Sequence, residues 1–296
     1  MAAGNLITPL EPGLPARLLR GVSQPGVAAR QSVHSNAFRR IDVAVASSCG
    51  SQHESNEDAH SALDPPGQLF VVADGVGGGA MAQLASAELV AHLHAALGAA
   101  PPDAERVSRA VLDADRAIAR RLAQVTAAPG AATVALCAPV NRMASQWLIA
   151  WVGDCRVYRL ALRGAQEIEW LSCDDTFRQL GEAPPAGGSL DDPARMVGNG
   201  ATLGANVALH ALASGDLLLL CSDGVHKHVD GPAWRRVLSQ PASLVQRCQE
   251  LIGVARANGS ADDATVLLLQ RSAFSLPRPL WMQRGSSPAD TSRNLR

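Results

Sequence analysis

The sequence predicts an α+β protein, with antiparallel sheets and helices packed outside them. Three observations carry this reading. Strand-like apolar runs follow one another directly between residues 133 and 171, and two helical stretches stand in tandem near 80–97 and 103–123. No strand–helix–strand alternation runs through the chain, as a parallel sheet would require.

Taken in order, residues 41–45 (Ile-Asp-Val-Ala-Val) alternate as a half-buried strand should. Residues 68–73 read as a strand running into the turn at Asp74-Gly75. The stretch from Ala80 to Leu97 is rich in Ala and Leu at helical spacing, and Gly98 supplies a stop. Asp103, after Pro101-Pro102, caps a second helix that ends near Ala123. Strands are expected at 133–139, 146–152, 156–162 and 167–171, then at 216–221 and 264–270, with a helix from 242 to 258 between the last two. The Gly- and Pro-rich stretch 181–200 is too long and polar for a simple connection, and loops of that kind often carry function.

Residues 1–37, with Pro9, Pro12, Pro15 and Pro25 and no sustained periodicity, read as a flexible N-terminal arm. Residues 273–296 read as a flexible tail in which Trp281 and Met282 are the only sticky side chains. One domain is left, over 38–272, with a flap loop at about 175–200.

Composition narrows the function. The chain has 296 residues, 47% of them hydrophobic but only 3% aromatic, so its core must rest on Ala, Val and Leu. A net charge of -1 with dispersed basic residues argues against nucleic acid as a partner. No apolar run reaches the roughly 18 residues of a membrane span. The six cysteines form no CxxC pair, and several lie in apolar runs as small buried hydrophobes, which fits a reduced cytoplasmic compartment.

Five short acidic motifs place an aspartate at or beside a strand end: Asn56-Glu57-Asp58, Asp74-Gly75, Gly153-Asp154, Ser222-Asp223-Gly224 and Asp262-Asp263. Carboxylates gathered in one pocket disfavour each other's ionisation unless a strong positive charge compensates. An oxygen-only cluster is what a hard divalent cation needs, magnesium or manganese before softer metals. A carboxylate-held dinuclear metal site is the reading that follows.

In order, the motifs run Ser55-Asn-Glu-Asp58, Val72-Ala-Asp-Gly-Val-Gly-Gly78, Val152-Gly-Asp-Cys-Arg-Val-Tyr158, Cys221-Ser-Asp-Gly-Val225 and Gly259-Ser-Ala-Asp-Asp-Ala-Thr-Val266. Over residues 38–271 this series resembles the metal-dependent PP2C (PPM) family of protein serine/threonine phosphatases in its bacterial form. The resemblance implies a central β-sandwich flanked by helices on both sides. It implies hydrolysis of phosphoserine and phosphothreonine monoesters by a metal-bridged water, with two Mn2+ or Mg2+ ions. Asp74 would bridge both ions, Asp58 and the Gly75 carbonyl would serve one, and Asp223 and Asp262 the other. Glu57 would orient metal-bound water, and Asp154 with Asp223 would hold a third, weaker ion. Partners would be phosphorylated proteins, substrates of a serine/threonine kinase, with secretion-system control as one setting. Two ions about 3.5–4 Å apart lower a bridging water's pKa and neutralise the phosphoryl oxygens, so no protein nucleophile is required.

Departures from the family pattern concentrate on phosphate recognition. His53 stands five residues before Asp58, where the family places a phosphate-clamping arginine. Imidazole lacks the guanidinium fork and loses its charge above about pH 6.5. Either His53 or another cation, with Arg39 and Arg40 nearest in sequence, meets the phosphate, or affinity is weak. Gly78-Gly79 and Ala82-Gln83 replace the family's Gly-His and Gly-Glu, Asp174-Asp175 replaces Asp-His, and Val76 stands where some animal members carry an acid histidine.

Three further readings bear on the same residues. A catalytically weak or inactive regulatory module of the same shape is the alternative to an active enzyme. Gly75 to Ala80 also fits the G-x-G-x-x-A dinucleotide-binding pattern, but residues 95–105 supply no following strand. His226 and His228, close to Asp223, are placed at the surface.

Overall fold

Leu217 to Cys221 is apolar at every position, and the reason is that both faces of this strand are covered. Leu218 and Leu220 point into one core with Ile41, Val43, Val157, Leu267 and Leu269. Leu217, Leu219 and Cys221 point into another with Ala44, Ala46, Val266, Leu268 and the helical residues Val237, Leu251 and Ile252. Side chains alternate across a strand, so a strand buried on both faces loses polar alternation altogether. Truncating such a leucine to alanine costs about 2–5 kcal/mol.

The computed structural model describes residues 26–63, 68–125, 130–161, 167–200 and 202–273. One sheet has the order β1-β2-β11-β10-β7-β8, from Ala28–Ser35, Arg39–Ser48, Ala264–Ala273, Leu217–Cys221, Arg156–Leu160 and Ile168–Trp170. The second has the order β3-β4-β5-β6-β9, from Ala59–His60, Phe70–Val76, Ala131–Pro139, Gln146–Val152 and Asn206–Ala211. Every pairing is antiparallel. The sheets face each other across a core that includes Phe70, Trp147 and Ile149. Helices α1 (Ala80–Leu97) and α2 (Ala104–Val125) cover the outer face of the second sheet, and α5 (Gly231–Leu238) and α6 (Leu244–Ala257) cover that of the first. The result is the expected sandwich, helix–sheet–sheet–helix.

The helix ends follow local chemistry. Asp103 Oδ1 accepts the Arg106 amide at 2.8 Å, as an N-cap should. Ser243 and Gln246 form a reciprocal capping box at the start of α6. Helix α1 has no side-chain cap of its own residue, Gly79. Instead Glu57 Oε1, from another segment, accepts the Gly79 amide and sets a negative charge against the positive end of the helix.

Several expectations are corrected. Residues 28–35, read as part of the arm, form β1 and pair with β2 from Ala28↔Ser47 to Ser35↔Arg40. No residue of this strand is buried, and only Ala29 packs against the core under α6, so its place in the sheet rests on the ladder with β2. Residues 1–25 and 274–296, with Trp281 and Met282, lie outside the described residues. Strands β3 and β9 and helix α5 were also not read from sequence. The dinucleotide reading of Gly75 to Ala80 fails on topology. Strand β4 is followed by two helices and then by β5, which runs antiparallel to β4, so no parallel βαβ unit exists there. The stretch 175–200 holds the short helix α3 (Phe177–Leu180) and is tied down by Arg178–Asp191 at 2.7 Å and by the Arg195–Glu182 pair.

Candidate metal centre

Register brings the acidic motifs to one end of the sandwich. Ala59 pairs with Ala73, so Asp58 lies beside Asp74 across the β3–β4 ladder. Asp74 pairs with Thr133 and Val134 with Val152, so Gly153-Asp154 leaves β6 at that same end. On the facing sheet Cys221 pairs with Val266 and Ser48 with Ala264, which puts Asp223 and Asp262 at the corresponding strand ends. Close backbone approach holds the turns together. A Cβ on Gly75 would stand 2.4 Å from the Ala82 carbonyl oxygen, and one on Gly224 would stand 1.9 Å from that of Asp263. Only glycine fits at these two positions.

The carboxylates feel one another's charge. Burial, with the charges of Asp223 and Asp263, pushes Asp58 up to about 8, even though Thr265 and Ser222 hydrogen-bond to it. Asp74 is raised well above the carboxylate range by burial and then by Asp223, Asp58, Asp154 and Asp262. Asp154 is pushed up to about 7 by burial and Asp223, with Lys227 opposing. Asp262 is raised by burial and by Asp223. Asp223 alone goes down: burial acts against ionisation there, but Lys227 outweighs it through its charge and hydrogen bond.

Asp58 Oδ1, Asp154 Oδ2 and Asp223 Oδ1 are shielded from solvent yet accept no hydrogen bond. Buried polar atoms are almost always satisfied. Asp154 Oδ2 has the Lys227 ammonium at 3.5 Å, but Asp58 Oδ1 and Asp223 Oδ1 still need an explanation. A hard divalent cation provides one, since oxygen donors of this kind are what magnesium and manganese take. The residues present therefore fit such ions.

Glu57 is buried behind the cluster and bound through Oε1 to Gly79, while its backbone amide donates to Asp263 Oδ2 at 2.6 Å. Asp263 was not singled out from sequence as a working residue. Its buried carboxylate also accepts the Gly50 amide at 2.6 Å and meets His53 Nδ1 at 2.9 Å, so it pins the loop between β2 and β3 at three points. His53 Nδ1 also stands 3.8 Å from Asp262 Oδ1. The hydrogen bond that His53 Nδ1 donates to Asp263 is the main cause holding the His53 pKa above its ordinary value. Ser222, likewise unread, donates to Asp58 Oδ2 at 2.7 Å and accepts the Thr265 amide at 3.0 Å.

Arg39 and Arg40 do not reach this region. They begin β2, whose other end, Ser48, adjoins the site; nine residues of strand separate them by about 30 Å. Arg39 bonds to Gln68 instead, and Arg40 to Asp42 at 2.6 Å. His226 is corrected too. It is buried rather than at the surface, with Nε2 donating to the Asp154 carbonyl at 2.9 Å, and burial pushes its pKa down to about 3. Asp174 and Asp175 brace the Asp154 turn from behind: Asp175 Oδ2 accepts the Gly153 amide at 3.0 Å, and Asp174 pairs with Arg156 at 2.7 Å.

The family pattern can now be set against known proteins. The sequence profile of Protein phosphatase 2C matches residues 46–262. The chain belongs to the protein phosphatase 2C family. No curated protein matches it by sequence. Among solved structures it is similar to PppA of Pseudomonas aeruginosa, described as a key regulatory component of T6SS. That likeness has 27% identity and a TM-score of 0.66, covering 79% of this chain and 98% of PppA. The Mycobacterium tuberculosis serine/threonine phosphatase PstP/Ppp is 25% identical with a TM-score of 0.67, over 78% of this chain and 98% of that one. A PstP catalytic domain in complex with two manganese ions shares the fold at 23% identity and a TM-score of 0.67, covering 80% of this chain and all (100%) of that one.

Proposed function

We propose that this PP2C-family chain is a metal-dependent protein serine/threonine phosphatase acting on phosphoserine and phosphothreonine monoesters. The observation that carries the reading is that register brings Asp58, Asp74, Asp154, Asp223 and Asp262 to one end of the sandwich, where Asp58 Oδ1 and Asp223 Oδ1 are shielded and accept no hydrogen bond. Asp74 would bridge two Mn2+ or Mg2+ ions, with Asp58 and the Gly75 carbonyl toward one and Asp223 and Asp262 toward the other. When bound, the ions supply the positive charge that a phosphate dianion requires and acidify the water that attacks it.

The chain's own groups do the rest. Ser222 holds Asp58 by its Oδ2, leaving Oδ1 free to ligate. Glu57, fixed at the start of α1, keeps its carboxylate behind the cluster, where it would orient water. His53, whose charged form is favoured by its hydrogen bond to Asp263, would meet the substrate phosphate at the exposed edge beside Asp262. Hydrolysis forms a bond from water oxygen to phosphorus and breaks the bond to the seryl or threonyl oxygen, which takes up a proton. No cysteine is needed as a nucleophile in this scheme, and Cys137, Cys155, Cys221 and Cys248 are buried.

Partners would be phosphoproteins made by a serine/threonine kinase in the cytoplasm. The similarity to PppA favours a place in secretion-system control. No helix among the described residues is long and apolar enough to cross a membrane. A regulatory module without turnover is the second reading, favoured by imidazole standing where a guanidinium fork is expected. Manganese-dependent phosphate release from an aryl phosphate and a phosphothreonine peptide tests the choice. Turnover abolished by a chelator and restored by manganese is expected; a folded, metal-loaded protein that releases no phosphate would establish the second reading.

A further inference from the structure

Lys227 is the only lysine in the chain; the other basic residues among its 26 Lys and Arg are arginines. It follows Asp223 by four positions, the spacing that brings two side chains to one face of a helical turn. Its Nζ donates to Asp223 Oδ2 at 2.6 Å and stands 3.5 Å from Asp154 Oδ2, an ion-pair distance rather than a hydrogen bond. Asp154 Oδ2 is one of the three shielded oxygens without a hydrogen bond. The ammonium therefore lies between the two carboxylates that a third divalent ion would use.

We infer that Lys227 is a built-in cation that occupies the Asp154–Asp223 subsite in place of a third metal ion. This rests on the dinuclear reading above and refines it, since it limits the centre to two exchangeable ions.

Three observations converge on this. A divalent ion held by both carboxylates would sit within about 2.0–2.2 Å of their oxygens, in the space the ammonium fills, and the two positive charges would repel at that range. Lysine suits the position better than arginine because its charge is a compact point with three donors, whereas guanidinium is a wide planar fork. A chain that uses arginine everywhere else has lysine at the one place where a cation of ionic dimensions is needed. The tether also makes this charge independent of metal concentration.

The test is manganese stoichiometry by equilibrium dialysis, carried to millimolar concentration on the full chain, for the parent, K227Q and K227R. The parent and K227R, which keep the cation, should saturate at two ions; K227Q, checked for folding by circular dichroism, should bind a third. Three ions on the parent, or two on folded K227Q, would overturn the inference and leave the dinuclear centre standing. No ion on the folded parent would overturn the dinuclear reading and this inference together. A second measurement needs no variant. Lysine-selective 13C labelling gives a single side-chain signal, which should keep its paired position as diamagnetic magnesium is raised to saturation. Its shift to that of a solvent-exposed lysine would mean that an ion displaces the ammonium, and would overturn the inference.

Discussion

His53 Nδ1 and Asp263 Oδ2 are 2.9 Å apart, and the same carboxylate accepts the amides of Gly50 and Glu57. One buried aspartate thus holds in place, and favours the charged form of, the residue that stands where an arginine is expected. D263N should keep part of the amide network but weaken the hold on the imidazolium. The rise in Michaelis constant with pH, expected when His53 loses its proton, should then begin at lower pH than in the parent. D263A should in addition destabilise the fold by about 2–4 kcal/mol, because buried amides lose their acceptor. Denaturant unfolding and a KM–pH profile read the two effects separately, and an unchanged profile in D263N would detach His53 from the phosphate.

H53R should lower the Michaelis constant, since a planar bidentate donor binds phosphate better than imidazole. The gain should widen as pH rises. Because Asp263 raises the His53 pKa, the parent keeps its charge past the ordinary value of about 6.5, and the two enzymes should diverge mainly above that pH. Equal constants for parent and variant from pH 6 to about 8.5 would count against His53 as the phosphate contact.

D74N should lose turnover by at least about 10²-fold, the scale seen when one charge-stabilising group is removed from an active site, while the fold survives. Asp74 feels the charges of Asp223, Asp58, Asp154 and Asp262, and neutralising it would weaken both proposed ion sites together. D262A should also lose activity but recover in part at high manganese, because Asp262 is half-exposed and would serve one ion only. Normal turnover by D74N at saturating manganese is the result that would sink the assignment.

Metal removal should make stability depend on pH in a particular sense. Asp58 has a folded pKa of about 8 against an ordinary value near 4, so the folded apo-protein holds the proton more tightly than the unfolded chain. Its stabilisation is fully present below about pH 4 and is lost as pH rises toward about 8. The chelated protein should therefore melt at lower temperature as pH is raised through that window. Manganese, which binds the deprotonated carboxylates, should raise the melting temperature more at pH 8 than at pH 5. A metal-induced shift that is the same at both values would argue against these groups as ligands.

Thiol alkylation should leave activity intact. Four of the six cysteines are buried, and exposed Cys49, beside the His53 loop, has its pKa raised by burial and then by Asp263, which makes it a poor nucleophile. Turnover lost on alkylation under conditions where the fold survives, and spared in C49S, would place that thiol at the substrate.

The amino-acid sequence alone determined the α+β class, the strands from 131 to 160, both long helices of the first layer and the five aspartates, because these depend on local pattern. Apolar period, caps such as Asp103 and turn motifs such as Asp74-Gly75 are written in neighbouring residues. Tertiary structure decided what depends on distant partners. Strand β1 exists because β2 supplies its ladder, and His226 is buried because Asp154, far away in sequence, presents a carbonyl to it. Arg39 and Arg40, near His53 in sequence, lie far from it because an extended strand carries them about 30 Å away. Asp263 and Lys227 show the same division. Asp263 lies in one of the five motifs and Lys227 just beyond another, but what each one holds is set by the packing of the two sheets that brings its partners within reach.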